Sequence, residues 1–172
     1  MKTQPHFPIV FQPIGYIYSE HTHPRQVPAQ PVYAAGCQGR AEIFPQYEEG
    51  LLDIEGFSHI FLFFLFHQAK PPQLLMKPYL GDQPHGIFAT RGPHRPNPLG
   101  FSLVRLIKRE GTVLYLDDVD ILDGAPLLDI KPFVERFDLR QNTRQGWQAE
   151  IDEATARQRG LREYTRKGVS NN

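Results

Sequence analysis

The residues with the most evident chemistry lie between Thr90 and Gly100, in the segment TRGPHRPNPLG. Its three prolines fix backbone torsions and remove hydrogen-bond donors, so the segment is predicted to be a stiff loop between two strands. A stiff loop loses little entropy on binding, and its cationic and polar side chains suit recognition of an anion or a heteroaromatic ring. Those side chains are Arg91, His94, Arg95 and Asn97. The alternative is a structural corner whose arginines pair with nearby carboxylates, and the composition leaves both interpretations open.

A second concentration of functional groups is the acidic segment DDVDILDGAPLLDIK, which spans Asp117–Lys131. Its aspartates are Asp117, Asp118, Asp120, Asp123 and Asp129. Their spacing lacks the D-x-D-x-D-G pattern and closing glutamate of a calcium loop, so no metal site is predicted. We expect Asp123 to cap its own tight turn with Gly124. A third use for such a carboxylate is to face a cationic ligand, such as a sulfonium or an α-ammonium group.

Three further polar groups are ambiguous when considered separately. His67-Gln68 follows an apolar run, at a position where pockets open, although a histidine there is more often hydrogen-bonded scaffold than catalyst. His21 and His23 could be two metal ligands, but without a matching pair nearby a solvated loop is the better interpretation. The triplet Pro24-Arg25-Gln26 indicates nothing by its composition.

The elements that must position these groups are mostly short strands. The predicted strands are Ile14–Ser19, Gly39–Phe44, Ser58–Phe66, Gly86–Thr90, Phe101–Ile107, Val113–Leu122 and Leu127–Phe133. Ser58–Phe66 is apolar on both faces and is predicted to be fully buried. Pro45–Leu52 predicts one or two helical turns, and Lys108–Gly111 a hairpin turn. This pattern favours a mainly all-β barrel or sandwich with short helices.

The chain of 172 residues is long enough for one domain with a core and a short tail. We expect a β domain over residues 1–137 and a polar helical tail over residues 138–172. The tail helix is predicted over Gln148–Tyr164, with an apolar face formed by Trp147, Ile151, Ala154 and Leu161.

Composition restricts the function classes and the compartment. A single cysteine, Cys37, indicates a reducing compartment, and the N-terminus lacks the pattern of a secretion signal. The longest apolar run, Ile60–Phe66, is far shorter than the roughly 20 residues of a membrane-spanning helix. We therefore expect a cytoplasmic protein without a membrane association. The formal net charge of zero argues against a broadly cationic nucleic-acid coat but leaves room for a local basic patch.

Common nucleotide and hydrolase motifs are absent from the sequence. There is no G-x-G-x-x-G after a strand, no P-loop and no G-x-S-x-G. Asn97-Pro98-Leu99 also falls short of the Asn/Asp-Pro-Pro-aromatic motif of common amino-methylating enzymes. A Rossmann-type nucleotide site is therefore unsupported.

Taken together, several segments resemble the TsaA/TrmO-like family over residues 12–134. The matching segments are IGYIYS, PRQ at Pro24–Gln26, LxxIEGFSHIFLFFLFHQ at Leu51–Gln68, GIFATRGPHRPNPLGFSLVRL at Gly86–Leu106 and DVDILDGAPLLDIKPF at Asp118–Phe133. The family is associated with S-adenosylmethionine-dependent N6-methylation of threonylcarbamoyl-adenosine beside the tRNA anticodon.

The resemblance implies a single-sheeted β-barrel, a homodimer and S-adenosylmethionine as cofactor, bound near the subunit boundary. The implied cofactor contacts are Pro24, Arg25, Gln26, His67, Gln68, Arg91, Phe101, Asp123, Gly124, Ala125 and Pro126. The sequence departs from the family pattern at Gly92, where serine is commoner, and at Ala125, where threonine is commoner. Some relatives carry an additional C-terminal domain, in whose place this chain has the short helical tail.

The catalytic group and the RNA contacts are not chosen by the resemblance. Asp120, Asp123 and His67 are candidate proton acceptors by residue type, and positioning of the reactants is expected to dominate catalysis. The candidate contacts to tRNA include Arg95, Arg105, Lys108 and Arg109, together with Arg91 and the arginine-rich tail. Two alternatives remain, since fold does not fix function: a methyltransferase acting on another substrate, and a non-catalytic S-adenosylmethionine-binding protein.

Overall fold

The computed structural model of the chain describes residues 8–165. Its strands are β1 Gly15–Ser19, β2 Gly39–Ile43, β3 His59–Leu65, β4 Leu75–Met76, β5 His85–Gly86, β6 Leu99–Glu110, β7 Val113–Asp117 and β8 Ala125–Pro132. The α-helices are α1 Glu135–Asp138 and α2 Glu153–Leu161. Short 3-10 turns occupy Pro24–Gln26, Pro31–Tyr33, Pro45–Leu51, Ile54–Gly56, Ile87–Ala89 and Gly146–Glu150.

Six of these strands close into one antiparallel barrel in the order β1-β2-β7-β6-β3-β8. β3 connects the two halves, because it pairs with β6 on one side and with β8 on the other. The remaining strands, β4 and β5, form a small hairpin in the long connection between β3 and β6. The predicted single-sheeted, mainly β barrel is confirmed.

The barrel interior is filled by alternate residues of each strand. In β3, the residues that point into the core are Ile60, Leu62 and Phe64, each less than 4% exposed. Phe61 and Phe63 point outward and are half-buried. The prediction that this strand is buried on both faces is therefore wrong. The strand is apolar on both faces because its outer face carries aromatic side chains, which pack on Phe101 and Phe133.

Two connections plug the open ends of the barrel. One is the segment between β7 and β8, which crosses the barrel end with Val119 and Ile121 fully buried. The other end is covered by the turns between β2 and β3, which bury Leu51 and Ile54. The strand predicted over Val113–Leu122 is therefore too long: β7 ends at Asp117, because Asp118 turns the chain with a φ of 63°.

Other boundaries also differ from the prediction. The region Gly86–Thr90 is a 3-10 turn preceded by the two-residue β5 rather than a strand. β6 continues to Glu110, so the hairpin turn lies at Gly111, whose φ of 58° favours glycine. A register shift between Leu106 and Lys108 marks a bulge in the pairing of β6 with β7, and the sequence carries no clear signal for it.

The C-terminal segment folds back onto the barrel domain. The predicted helix over Gln148–Tyr164 is divided into a 3-10 turn and α2. The carboxylate of Asp152, the residue before α2, caps the helix by accepting from the Thr155 N–H. The packed residues of α2 are Ala156 and Gly160, whereas Ala154 of the predicted apolar face is exposed. Within residues 8–165, no helix combines the length and the apolar character needed to span a bilayer.

Candidate active site

Four strand ends that meet at one end of the barrel carry most of the predicted site residues. In the pairing of the sheet, Ile17 of β1 lies beside Ala125 of β8. Leu65 at the end of β3 lies beside Leu99 at the start of β6. We call this end the upper rim, defined by Ser19, Leu65, Leu99 and Ala125. The residues that follow Ser19 and Leu65, and those that precede Leu99 and Ala125, therefore leave the barrel at the same end.

Asp120 lies in the segment that crosses the upper rim, between the buried Val119 and Ile121. Its Oδ1 is buried and has no hydrogen-bond partner among residues 8–165. Burial raises the pKa of Asp120 to about 7, although a hydrogen bond with Ser102 and the positive charge of Arg91 oppose that shift. A carboxyl group that titrates near neutrality, with an oxygen left unpaired, is suited to accept a proton or hydrogen bond from a ligand.

Arg91 connects three segments of the rim. Its guanidinium lies over the ring of Phe101, with 4.9 Å between the central carbon and the ring centroid. Its Nη1 donates to Oε1 of Gln30 at 2.5 Å. The side chain is exposed, and its positive charge opposes the rise in the pKa of Asp120. The arrangement presents a cation beside an aromatic ring and a buried carboxyl, which fits a zwitterionic ligand.

The other predicted contacts surround this centre. Pro24–Gln26 form an exposed 3-10 turn, in which the Arg25 N–H donates to Nδ1 of His23 at 3.3 Å. His67 and Gln68 are exposed immediately beyond β3. Their segment is tied to the Thr90–Gly100 loop, because the Phe66 N–H donates to the Pro98 carbonyl at 2.8 Å.

The turn Asp123–Pro126 starts β8 on the same rim. Oδ1 of Asp123 accepts from the Ser19 N–H at 3.0 Å, and the Gly124 N–H donates to the Ile17 carbonyl at 2.9 Å. Gly124 adopts a φ of 74°. The expectation that Asp123 caps its own turn is wrong, because its carboxylate instead caps the end of β1. Ala125 is buried and Pro126 half-buried, so they shape the start of the strand.

The remaining aspartates have separate structural partners. Asp117 and Asp118 both pair with Arg105, and Oδ1 of Asp118 also accepts from the Gly36 N–H. Asp129 lies on the outer face of β8 and pairs with Lys131 at 2.7 Å. The acidic segment is thus not one cluster, since its carboxylates are distributed around the rim and the barrel wall.

The four RNA-binding candidates are largely engaged within the chain. Arg95 donates to the carbonyls of Ile87 and Thr90, at 3.0 and 2.8 Å. The other three have carboxylate partners. These pairs are Arg105 with Asp117 and Asp118, Lys108 with Glu110, and Arg109 with Glu48 and Glu55. All four side chains therefore have structural partners within the chain, and a contact with RNA stays a prediction.

The sequence predicts a solvated loop for His21, and this prediction is wrong. It is 1% exposed, its Nε2 lies 2.9 Å from the Val119 carbonyl, and burial lowers its pKa. Ligand atoms of Glu20, His21 and Cys37 lie within 4.8 Å of one another, a spacing that a metal ion could bridge. The hydroxyl of Tyr164 donates to Glu20 at 2.6 Å and its ring meets His21 edge-on. The cluster is therefore where the C-terminal segment docks, whereas His23 is exposed.

The structure explains why glycine stands at position 92, and it adds two residues to the site that the sequence analysis did not name. A Cβ at Gly92 would lie 2.3 Å from Sδ of Met76, so glycine at this position accompanies the methionine packed beneath the loop. Sequence reasoning missed Ser102, although it lies on the inward side of β6 between Gly100 and Val104 and could have been found by alternation. It also missed Gln30, for which the sequence gives no signal.

Comparison with known proteins identifies the family of the chain. The family model of the tRNA-methyltransferase O N-terminal domain matches residues 16–139. A protein of Pyrococcus abyssi, named "Probable S-adenosyl-L-methionine-binding protein", is 54% identical over 139 residues, which are 81% of this chain and 76% of that protein. The human tRNA (adenine(37)-N6)-methyltransferase is 37% identical over 141 residues, 78% of this chain and 32% of its own length.

Solved structures show the same relationship. The crystal structure of TrmO from Pseudomonas aeruginosa superposes with a TM-score of 0.69 at 39% identity, covering 82% of this chain and 63% of that one. The chain therefore spans under two thirds of the Pseudomonas structure and about a third of the human protein.

Proposed function

Because this chain belongs to the family of tRNA-methyltransferase O N-terminal domains, we propose that it is an S-adenosylmethionine-dependent methyltransferase of tRNA. The proposed target is N6 of the adenosine beside the anticodon, in its threonylcarbamoyl form. The observation that carries the proposal is the grouping of Arg91, Phe101 and Asp120 on one rim, at positions where the sequence resembles that family.

The residues of the rim fit the cofactor. The exposed guanidinium of Arg91 suits a carboxylate, and its contacts with Phe101 and Gln30 hold it in place before binding. The turn at Asp123–Pro126 offers backbone groups on the same side of the rim. The buried Oδ1 of Asp120, which has no partner among residues 8–165, is left for the methyl-accepting nitrogen. S-adenosylmethionine, when bound, supplies an electrophilic methyl group on a sulfonium.

Asp120 is the proposed proton acceptor among the three candidates from the sequence. Asp123 is committed to the Ser19 N–H, and His67 is exposed beyond β3. The exocyclic nitrogen of adenine is a weak nucleophile because its lone pair is conjugated with the ring. With S-adenosylmethionine bound, this nitrogen would displace the sulfur at the methyl carbon, and the proton that the nitrogen loses would pass to the Asp120 carboxylate. The raised pKa of Asp120 makes this transfer favourable near neutral pH.

A homodimer is also proposed, with the contact on an aromatic face formed by Phe61, Phe63, Phe101 and Phe133. These rings are neighbours on the outside of the barrel: the centroids of Phe63 and Phe101 are 6.4 Å apart, and those of Phe61 and Phe133 are 6.0 Å apart. Phe101 is 44% exposed. Contiguous exposed aromatic surface is typical of an interface, and Phe101 would bring the partner next to Arg91.

A cytoplasmic location follows from the proposed substrate. No metal is needed for the reaction, since the methyl donor is already activated as a sulfonium. The absence of metal therefore remains part of this proposal, alongside the absence of a membrane association.

The second candidate is a protein that binds S-adenosylmethionine without turnover, which the name of the Pyrococcus relative favours. The test is mass spectrometry of tRNA nucleosides from cells with and without the gene, together with assays of the purified protein on unmethylated tRNA. Loss of one N6-methylated threonylcarbamoyl-adenosine in the deletion, restored by wild type, supports the methyltransferase. Cofactor binding with an unchanged nucleoside profile and no turnover supports the second candidate instead.

A further inference from the structure

The C-terminal segment, residues 146–164, contacts both loops that carry the proposed cofactor residues. One is the PRQ loop, residues 20–33, which follows β1. The other is the signature connection, residues 77–92, which leads to Arg91. Direct contact between the two loops is made by Gln30 and Arg91. The C-terminal segment adds a second, indirect connection between the two loops.

Arg162 makes that connection with a single side chain. Its Nη1 donates to the Val27 carbonyl in the PRQ loop at 2.9 Å. Its Nη2 donates to the Tyr79 hydroxyl in the signature connection at 2.7 Å, and the guanidinium stacks 3.9 Å from the centre of the Tyr79 ring. The side chain is half-buried, so these contacts are partly shielded from water.

Other residues of the C-terminal segment hold each loop separately. The Ala29 N–H donates to the Gly160 carbonyl at 2.8 Å, and a Cβ at Gly160 would lie 2.4 Å from the Tyr33 ring. On the signature side, the indole N–H of Trp147 donates to the Ala89 carbonyl at 2.9 Å, two residues before Arg91. The indole also stacks on His85, with 4.6 Å between ring centroids and an interplanar angle of 15°.

We propose that Arg162 is a positioning residue, which fixes the PRQ loop relative to the loop of Arg91 and so raises the affinity for S-adenosylmethionine. A loop held before binding loses less conformational freedom when the ligand arrives. Without Arg162, the contact of Gln30 with Arg91 and the separate contacts at Ala29 and Ala89 remain, but the two loops are held less firmly relative to each other. The inference rests on the proposed function only in the identity of the ligand.

The test compares Arg162→Ala with Arg157→Ala, a matched control at an exposed position of α2. Affinity for S-adenosylmethionine is measured by calorimetry, and hydrogen exchange of the Ala29 amide reports loop order without any ligand. We expect Arg162→Ala to weaken binding by about tenfold, to speed exchange at Ala29, and to keep kcat at saturating cofactor. Arg162→Lys, which keeps the charge but not the planar guanidinium fork, should bind with an affinity between those of the wild type and Arg162→Ala.

A second variant guards against misfolding. Trp147→Phe retains an aromatic ring to stack on His85 but loses the bond to the Ala89 carbonyl, and it should weaken binding by a smaller factor than Arg162→Ala. Faster exchange at Ala29 with unchanged cofactor affinity in Arg162→Ala would overturn the inference. If the wild-type protein itself fails to bind S-adenosylmethionine, the proposed function falls, and this inference with it.

Discussion

The guanidinium of Arg91 lies over the ring of Phe101, with 4.9 Å between its central carbon and the ring centroid. Arg91 belongs to the loop that precedes β6, and Phe101 is the third residue of that strand. The contact therefore ties the Thr90–Gly100 loop to the strand that follows it, and the bond from Arg91 to Gln30 holds the same guanidinium. An exposed arginine would otherwise lose up to about 2 kcal/mol of side-chain entropy on binding, so the two contacts prepare it for a ligand.

Substitution of Arg91 should therefore weaken cofactor binding. We expect Arg91→Ala to lose at least ~1.5 kcal/mol, or about tenfold in affinity, because a charge-assisted hydrogen bond is removed. Arg91→Lys should lose less, since it keeps the charge but not the planar fork. Calorimetry with S-adenosylmethionine measures both. Arg140→Ala is the control, since Arg140 is exposed and bonds to the carbonyl of its neighbour Leu139. Wild-type affinity in Arg91→Ala would remove this residue from the site.

Asp120→Asn should separate chemistry from binding. The amide keeps the shape of the side chain but cannot accept a proton, so we expect kcat to fall at least about 100-fold while cofactor affinity is retained. Single-turnover assays on unmethylated tRNA measure the chemical step. Asp53→Asn is the matched control: Asp53 is exposed, and asparagine tolerates its φ of 66° equally well. Full turnover in Asp120→Asn would show that positioning alone drives the reaction.

The raised pKa of Asp120 also predicts a pH dependence of stability. Burial favours the neutral form, so the stabilising contribution is fully present below the ordinary pKa of about 4. It is lost as the pH rises through the folded-state pKa of about 7. The side chain of Asp120→Asn stays neutral, so the Tm of this variant should rise relative to that of the wild type between pH 5 and pH 8. Thermal unfolding across this range measures the difference, and two parallel Tm curves would contradict the raised pKa.

The barrel strands could be predicted from the sequence because each strand is marked by a pattern of neighbouring residues. Short β-branched and aromatic runs, separated by proline and glycine, give the strands β1, β2 and β3 nearly to the residue. What sequence reasoning could not supply depends on pairing between distant residues. An example is the end of β7 at Asp117, which is set by a left-handed residue and by the burial of Val119.

The candidate site divides in the same way. Arg91 and Phe101 were predicted from the resemblance, but only the closed sheet brings Gln30 to Arg91 and Ser102 to Asp120. The proposal of Asp120 among the three candidate proton acceptors depends on the burial of its carboxyl group, and no local sequence pattern predicts that burial. The resemblance covers residues 12–134, so it carried no information about Arg162 or Trp147.

The aromatic face predicts the oligomeric state. Phe61→Glu places a charge among Phe101 and Phe133, and burying that charge against a partner is costly. We expect sedimentation velocity to show a dimer for the wild type and a monomer for Phe61→Glu. The control is Leu52→Glu, since Leu52 is 74% exposed and lies among the turns at the opposite end of the barrel. A monomeric wild type would contradict the proposed interface.

Salt dependence should distinguish the RNA candidates from one another. Arg105 has its charge balanced by Asp117 and Asp118, whereas Arg95 donates to neutral carbonyls and keeps its positive charge. If Arg95 contacts a phosphate, Arg95→Gln should reduce the slope of log affinity against log salt by roughly one, because each neutralised phosphate releases counterions. Arg105→Gln should leave the slope unchanged. Arg95→Lys controls for the lost carbonyl contacts, since it preserves the charge. Filter binding of tRNA at several salt concentrations measures these slopes, and an Arg95→Gln slope equal to that of the wild type would exclude Arg95 from the RNA surface.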